Sequence, residues 1–263
     1  MPGGGGARCN GRVPAPERIS IELTNACGKA CWFCYNHSAP GGETRWTVDE
    51  VEALVRDCAA HGTRAVSFGG GEPLQYPDLE GLLARLRGVL FRSLTTNGLH
   101  LDPARLERLV AAGPDKVHVS IHFPGQTSEV ERAIEQVHAL AAAGVASGVN
   151  LLVRRAQLAE AQAAAERLEA AGIGHERVVF LPMRGQDTPT SDEMSRVAGG
   201  RPFQSMSCLL ACARSPRFCS IGWDRQVAWC SYTSARRPLP ALSWAGLEQA
   251  LTDLPLVFCG GTA

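Results

Sequence analysis

Alternating apolar and polar positions predict a regular series of strands and helices along the first two thirds of the chain. From Arg18 to Thr24, apolar residues alternate with polar ones, which is the period of a half-buried strand. After Thr47 the apolar residues recur at helical spacing until Gly62, and Glu50 stands where a capping box needs it. This first strand and helix therefore form one strand–helix unit.

The same unit recurs to about residue 185. The further predicted strands cover residues 64–68, 90–96, 116–121, 145–153 and 177–181. The predicted helices cover residues 79–86, a segment capped by Asp102 with Pro103 in its first turn, a segment from a Ser128/Glu131 capping box to Gly144, and residues 158–171. Alternation of this kind implies parallel strands with right-handed crossovers, and six units are too few for a closed eight-stranded barrel. The predicted fold class is α/β, a partial (β/α)6 TIM-type barrel with a small cysteine-rich C-terminal extension.

Three regions follow from this pattern. Residues 1–16 are rich in glycine and proline and are predicted to be disordered, residues 17–185 form the barrel, and residues 186–263 form the extension. Within the extension, residues 218–230 predict a hairpin that turns near Asp224, and residues 242–254 predict a terminal helix.

Only 17 residues precede the first predicted strand. We therefore expect no peptide-recognition domain there, and a substrate that is either small or presented by a separate protein.

Composition narrows the function classes. The formal net charge is zero and the sequence pI is about 7.0, so no basic face argues for nucleic acid or anionic lipid. No apolar run is long enough to span a membrane, and no secretory signal is recognisable, so we expect a cytoplasmic protein without a membrane partner. Ten cysteines in a reducing compartment favour metal binding over disulfides.

The cysteines at residues 27, 31 and 34 lie in one short loop directly after the first strand. Three thiolates there are suited to three corners of an iron–sulfur cluster, and they leave one iron open. The alternative is a zinc site with a distant fourth ligand such as His37, but spacings of four and three are unusual for zinc. The loop resembles the signature of the radical S-adenosylmethionine (SAM) family, with Phe33 at its aromatic position.

Other stretches resemble that family in the same order, each near the end of a predicted strand. The resemblance implies a 4Fe–4S cluster on Cys27, Cys31 and Cys34, with SAM bound at its open iron. It also implies that the carboxylate of Glu72 pairs with the ammonium group of SAM. The cofactor-binding residues that it implies are Phe33, Gly70, Gly71, Glu72, Pro73, Asn97, Ser120, Asn150 and Met183.

Five later cysteines predict a second metal site in the extension. The hairpin resembles those of the SPASM and twitch extensions of the same family, which implies an auxiliary iron–sulfur cluster. Five cysteines are too few for the seven-cysteine, two-cluster form, and a structural zinc ribbon is the alternative. The candidate ligands, four of which would bind, are Cys208, Cys212, Cys219, Cys230 and Cys259.

The resemblance implies reductive cleavage of SAM to a 5′-deoxyadenosyl radical, which abstracts hydrogen from a substrate carbon. The expected substrate is a peptide or a small natural-product intermediate, and the expected electron donor is of the flavodoxin or ferredoxin type. Oxidation, cross-linking and epimerisation all stay open, because an auxiliary cluster could accept an electron and a spare thiol could return a hydrogen atom. The alternative function is a non-catalytic metal-stapled binding module or an iron–sulfur electron carrier.

Overall fold

A computed structural model describes residues 14–203, 209, 215, 217–257 and 259. The segment predicted to be disordered lies mostly outside these residues, as do Cys208 and Cys212. Within the described ranges, no helix is long and apolar enough to cross a bilayer.

Six strands alternate with helices, as the sequence predicts. The strands are β1 (Arg18–Thr24), β2 (Ala65–Gly70), β3 (Phe91–Thr96), β4 (Lys116–Ile121), β5 (Ala146–Val153) and β6 (Val178–Pro182). The helices that follow β1 to β5 are α1 (Val48–Ala60), α2 (Leu79–Arg85), α3 (Pro103–Ala112), α4 (Thr127–Ala142) and α5 (Leu158–Ala170). Neighbouring strands pair in parallel throughout, so the partial-barrel prediction is confirmed.

Local helix signals agree with the structure at two of three starts. Thr47 and Glu50 form the predicted capping box of α1, and Asp102 caps α3 ahead of Pro103. The predicted Ser128/Glu131 box is wrong. α4 begins one residue before Ser128, and its cap residue Gln126 makes no side-chain capping bond.

The C-terminal extension joins the barrel sheet instead of standing apart. It contains α6 (Ser191–Val197), which the sequence did not predict, then β7 (Phe218–Ile221), β8 (Gln226–Ala228), β9 (Arg237–Pro238) and α7 (Trp244–Leu251). β7 and β8 form the predicted antiparallel hairpin, and β7 also pairs in parallel with β1. The strand order is β6-β5-β4-β3-β2-β1-β7-β8-β9. The sheet therefore continues across the domain boundary predicted near residue 185, and that boundary stays a prediction.

The hairpin is fastened to the barrel by its turn. Arg225 donates to the Glu50 carboxylate at 2.7 Å, and its guanidinium lies 5.1 Å from the centre of the Trp46 ring. The Trp46 indole N–H in turn donates to the Gly222 carbonyl at 3.3 Å. These contacts hold the hairpin turn against the start of α1.

One predicted ligand of the second metal site is corrected by this arrangement. Cys219 on β7 pairs with Ile19 on β1, and both side chains are fully buried in the hydrophobic core. Burial raises the pKa of the Cys219 thiol well above its usual range, and the neighbouring Cys58 adds to the shift. A neutral thiol sealed in the core is not placed to bind a cluster, because the ligand form is the thiolate.

Candidate functional site

The main cavity opens at the carboxyl ends of the six barrel strands and has a volume of about 380 Å³. All six strand ends contribute to its wall, and Tyr232, from the segment after β8, contributes from the extension. In parallel α/β folds this is the edge where ligands bind. The predicted site residues that line the cavity are Cys27, Cys31, Phe33, Cys34, Gly70, Gly71, Asn97, Ser120, Asn150 and Met183.

The three loop cysteines form one wall of this cavity. Cys27 is buried, whereas Cys31 and Cys34 are partly exposed. Burial raises the pKa of the Cys31 thiol to about 11, with Lys29 opposing the shift, so this thiol is neutral until a metal displaces its proton. Among the described residues, no three His, Cys, Asp or Glu side chains converge on a position for a single metal ion. Three thiolates in one short loop suit three corners of a multi-iron cluster, in which each thiolate binds a different iron.

The glycine turn after β2 supports the start of the cysteine loop. The Gly71 amide donates to the Thr24 carbonyl at 2.7 Å, and the Glu72 amide donates to the Ala26 carbonyl at 2.8 Å. A β-carbon on Gly71 would lie 2.3 Å from the Ala26 oxygen, so this close approach requires glycine. A β-carbon on Gly69, in contrast, would meet no atom within 4 Å, and Gly69 lines the cavity. The turn therefore presents free space to a ligand while it holds the loop behind it.

Glu72 is not among the residues that line the cavity, and the pairing of its carboxylate with an ammonium group stays a prediction. The side chain is fully buried and accepts hydrogen bonds from the Leu74 amide at 3.0 Å, the Thr96 hydroxyl at 2.6 Å and the Asn97 amide at 2.8 Å. Pro73 is also buried and begins a short 3-10 turn outside the cavity wall. The carboxylate thus joins the ends of β2 and β3.

Asn97 makes a polar contact with a candidate metal ligand. Its side-chain amide donates to the Cys27 sulfur at 3.6 Å, while its side-chain oxygen accepts from the Leu99 amide at 2.9 Å. Hydrogen bonds to ligand sulfurs are one of the factors that set the reduction potential of an iron–sulfur cluster. The position of Asn97 is therefore suited to tuning a cluster at this wall.

Several cavity residues were not among the predicted ligands. Lys29 lines the cavity and is bonded to Glu129, which is nearly fully buried. Tyr35 and Tyr232 also line it, and their rings are 4.9 Å apart. A lysine between two ligand cysteines was visible in the sequence, but its partner lies 100 residues further on. The tyrosine pair depends on how the extension folds back, which no local pattern indicates.

Glu22 is a second buried carboxyl group close to this wall. It lies two residues after Ser20, which lines the cavity, and its Oε1 has no hydrogen-bond partner within the described ranges. Burial raises the pKa of Glu22 to about 7, although the charge of Arg236 lowers it. Glu22 is thus a proton-binding group near neutral pH, beside the hairpin turn.

Four further polar side chains lie in the cavity or close to it in sequence. His122 lines the cavity, and burial, together with the Lys29 charge, lowers the pKa of its imidazole to about 4, so the ring is neutral. Arg184 lines the cavity near Tyr232. Arg154 is paired with Asp187 at 2.8 Å, and Arg155 lies at the surface beside Glu193.

Comparison with known proteins is consistent with the geometry. A model described as the radical SAM superfamily matches residues 21–187. A probable GTP 3′,8-cyclase from Methanocella arvoryzae is 39% identical over 103 residues, which are 39% of this chain and 33% of that protein. A PqqA peptide cyclase from Gluconobacter oxydans is 28% identical over 257 residues, which are 86% of this chain and 70% of that protein. The chain spans 33%, 35% and 55% of the lengths of three of the curated relatives that it matches.

Solved structures agree on the fold. Streptococcus suis SuiB bound to S-adenosylmethionine superimposes with a TM-score of 0.67 at 15% identity, covering 92% of this chain and 67% of that one. At this level of identity the likeness concerns the fold alone.

Proposed function

The chain belongs to the radical SAM superfamily, and from that premise we propose that it modifies a peptide substrate by radical chemistry started at the cavity. The observation that carries the proposal is the cavity wall itself, on which three thiols lie next to a glycine turn at the carboxyl ends of parallel strands. A structural zinc site or an electron carrier has no need of such a cavity beside its cysteines.

The residues present fit both cofactors. Cys27, Cys31 and Cys34 would hold three irons of a 4Fe–4S cluster, and the free space in front of Gly69 would receive part of SAM. The polar groups suited to hold the rest of SAM come from successive strand ends, and these are Asn97, Ser120 and Asn150, with Met183 as an apolar contact. When bound, the cluster and SAM supply one-electron cleavage of SAM to methionine and a 5′-deoxyadenosyl radical.

The chain's own residues would bind and orient SAM and the substrate, and would shield both from water. The Gly71 and Glu72 amides hold the start of the cysteine loop, and the Glu72 carboxylate fixes the backbone of Asn97. The open side of the cavity, lined by Tyr35, Tyr232 and Arg184, would receive the substrate. Exclusion of water from this space would keep the reactive groups from side reactions.

The peptide assignment rests on relatives rather than on a residue. The relative aligned over 86% of this chain is named as a peptide cyclase, and it supports a peptide substrate here. Oxidation, cross-linking and epimerisation are all consistent with this class. A low-potential donor of the flavodoxin or ferredoxin type is the proposed electron source.

We further propose an auxiliary iron–sulfur cluster in the extension. Cys230 and Cys259 are partly exposed and are the described candidates, while Cys208 and Cys212 lie outside the described residues. With Cys219 in the core, these four are the complete set that a cluster would need. A zinc ribbon with the same ligands is the competing assignment.

The decisive experiment is anaerobic reconstitution with iron and sulfide, followed by dithionite and SAM. We expect formation of 5′-deoxyadenosine, and its loss in a Cys34→Ala variant. A reconstituted chain that forms none would refute the enzyme assignment and favour a binding module or an electron carrier. Iron content distinguishes the auxiliary cluster from a zinc ribbon in the extension. Two clusters require about eight irons per chain, whereas one cluster with one zinc requires about four.

A further inference from the structure

One buried carboxylate joins the cysteine loop to the opposite side of the barrel. Glu129, the third residue of α4, accepts a hydrogen bond from the Lys29 ammonium at 2.5 Å. The same oxygen accepts from the His122 amide at 2.6 Å and lies 3.4 Å from the Phe123 amide. A single side chain therefore ties the loop between Cys27 and Cys31 to the β4–α4 connection.

This pair is shielded from solvent, unlike most ion pairs between described residues. The Lys29 and Glu129 side chains are 10% and 3% exposed. A buried pair is costly to break from one side, since the partner is left as an uncompensated charge. The nearby His122 ring is neutral and lies with its Nδ1 3.2 Å from the ammonium, so it accepts a hydrogen bond without adding charge. Glu129 is thus the one anionic group in contact with Lys29 among the described residues.

The loop that this pair holds is in an unfavourable backbone conformation. Ala30, directly after Lys29, has a φ angle of 47°, in the left-handed region that alanine seldom adopts. Such residues persist where surrounding contacts hold them, and they are common at functional sites. Phe33 adds an apolar contact on the same side, 5.4 Å from the Phe123 ring centre.

We propose that the Lys29–Glu129 pair is a positioning device for the iron–sulfur cluster loop. It keeps the left-handed turn at Ala30 in place, so that the thiols on either side of the turn face the cavity before iron arrives. It also sets the net charge beside the cluster, because the Glu129 carboxylate compensates the Lys29 ammonium. Glu129 contacts neither a ligand sulfur nor the reacting atoms, and it acts through Lys29. This role rests on the proposed cluster site.

The test compares Glu129→Gln with Glu131→Gln after anaerobic reconstitution. Glu131 is the matched control, since it lies on the same helix and its pair with Arg167 is 45% exposed on both sides. We expect Glu129→Gln to retain iron about 10- to 100-fold more weakly than the parent in competition with a chelator, because mutation of residues that support metal ligands typically costs that much metal affinity. We also expect a less negative reduction potential, because the ammonium is left without its counter-charge. Glu131→Gln should match the parent in both respects.

Two further measurements distinguish positioning from a general loss of folding. In the iron-free chain, alkylation of Cys31 followed by mass spectrometry should be faster in Glu129→Gln than in Glu131→Gln, with equal far-UV circular dichroism. Glycine at position 30 tolerates the left-handed turn. In an Ala30→Gly background, Glu129→Gln should therefore reduce iron retention less than it does in the parent. Equal iron retention and potential in the two glutamine variants would overturn the proposal, and so would an equal loss in both backgrounds. A parent chain that binds no iron would instead refute the cluster site itself.

Discussion

Replacement of Gly71 by alanine should displace the start of the cysteine loop, because the added β-carbon would overlap the backbone just before Cys27. The added β-carbon would lie 2.3 Å from the Ala26 carbonyl oxygen and 2.8 Å from the Ala26 and Asn25 carbonyl carbons. These are backbone atoms directly before Cys27, so no flexible side chain is available to move aside. The strain must therefore displace the start of the loop or the turn after β2.

The size of the effect follows from the geometry. Ordinary contact between such atoms begins near 3.5 Å, so one side must move by about 1 Å. That movement opposes two backbone hydrogen bonds, from Gly71 to the Thr24 carbonyl and from Glu72 to the Ala26 carbonyl. Overpacking of this kind typically costs about 1–3 kcal/mol. We expect a loss in this range in the free energy of unfolding of the iron-free chain.

The assay pairs Gly71→Ala with Gly69→Ala. An alanine β-carbon at position 69 meets no atom within 4 Å and lies at the cavity wall, so that variant should keep the parent's stability and iron content. It should bind SAM more weakly, because the methyl group occupies space meant for the ligand. Urea unfolding, iron content and equilibrium binding of SAM provide the readouts. A Gly71→Ala chain with parental stability and iron content would refute the reasoning, as would unchanged SAM affinity in Gly69→Ala.

Three further outcomes are expected. Burial raises the pKa of Glu22 from 4.5 to about 7, so the proton held by the folded state contributes stability that is complete below about pH 4.5 and is lost as pH rises through 7. Urea unfolding should show the parent losing about 3 kcal/mol more than Glu22→Gln between about pH 4.5 and 8, and the same pH profile in both chains would refute this assignment. Cys230→Ala should lower iron content by about half, whereas Cys219→Ala should leave it unchanged, and the reverse pattern would contradict the core placement of Cys219. Asn97→Ala removes the donor to the Cys27 sulfur and should make the cluster's reduction potential more negative in an EPR-monitored titration, so an unchanged value would count against that contact.

The sequence predicted the barrel because its strands and helices carry local signals. Alternation in β1 and the capping box at Thr47 depend on residues a few positions apart, and both elements form as predicted. β1 is not half-buried, however, because Ile21 to Thr24 are buried on both faces of the sheet. The Ser128/Glu131 box is wrong because α4 already begins at Thr127, so Ser128 lies within the first turn instead of at the N-cap. α6 was missed although it is as long as the predicted α2 and begins with a Thr190/Glu193 capping box, which is a local signal in the sequence.

Pairing between distant segments could not be predicted in the same way. The apolar alternation around Cys219 indicates a strand, but it does not indicate that the strand would extend the barrel sheet beside β1. That pairing decides which face of β7 is buried, because a strand's side chains alternate between the two faces of the sheet. Cys219 shares the face of Ile19 and enters the core, whereas the hairpin considered alone left it available as a ligand.

The glycine turn shows the difference between recognising a motif and knowing what each residue does. Its position after β2 was predicted, and Gly70 and Gly71 do line the cavity. The expected role of the Glu72 carboxylate stays a prediction. In the structure the carboxylate accepts hydrogen bonds from Leu74, Thr96 and Asn97 and so joins the ends of β2 and β3. The turn therefore acts through its backbone, which supports the cysteine loop on one side and leaves space for a ligand on the other.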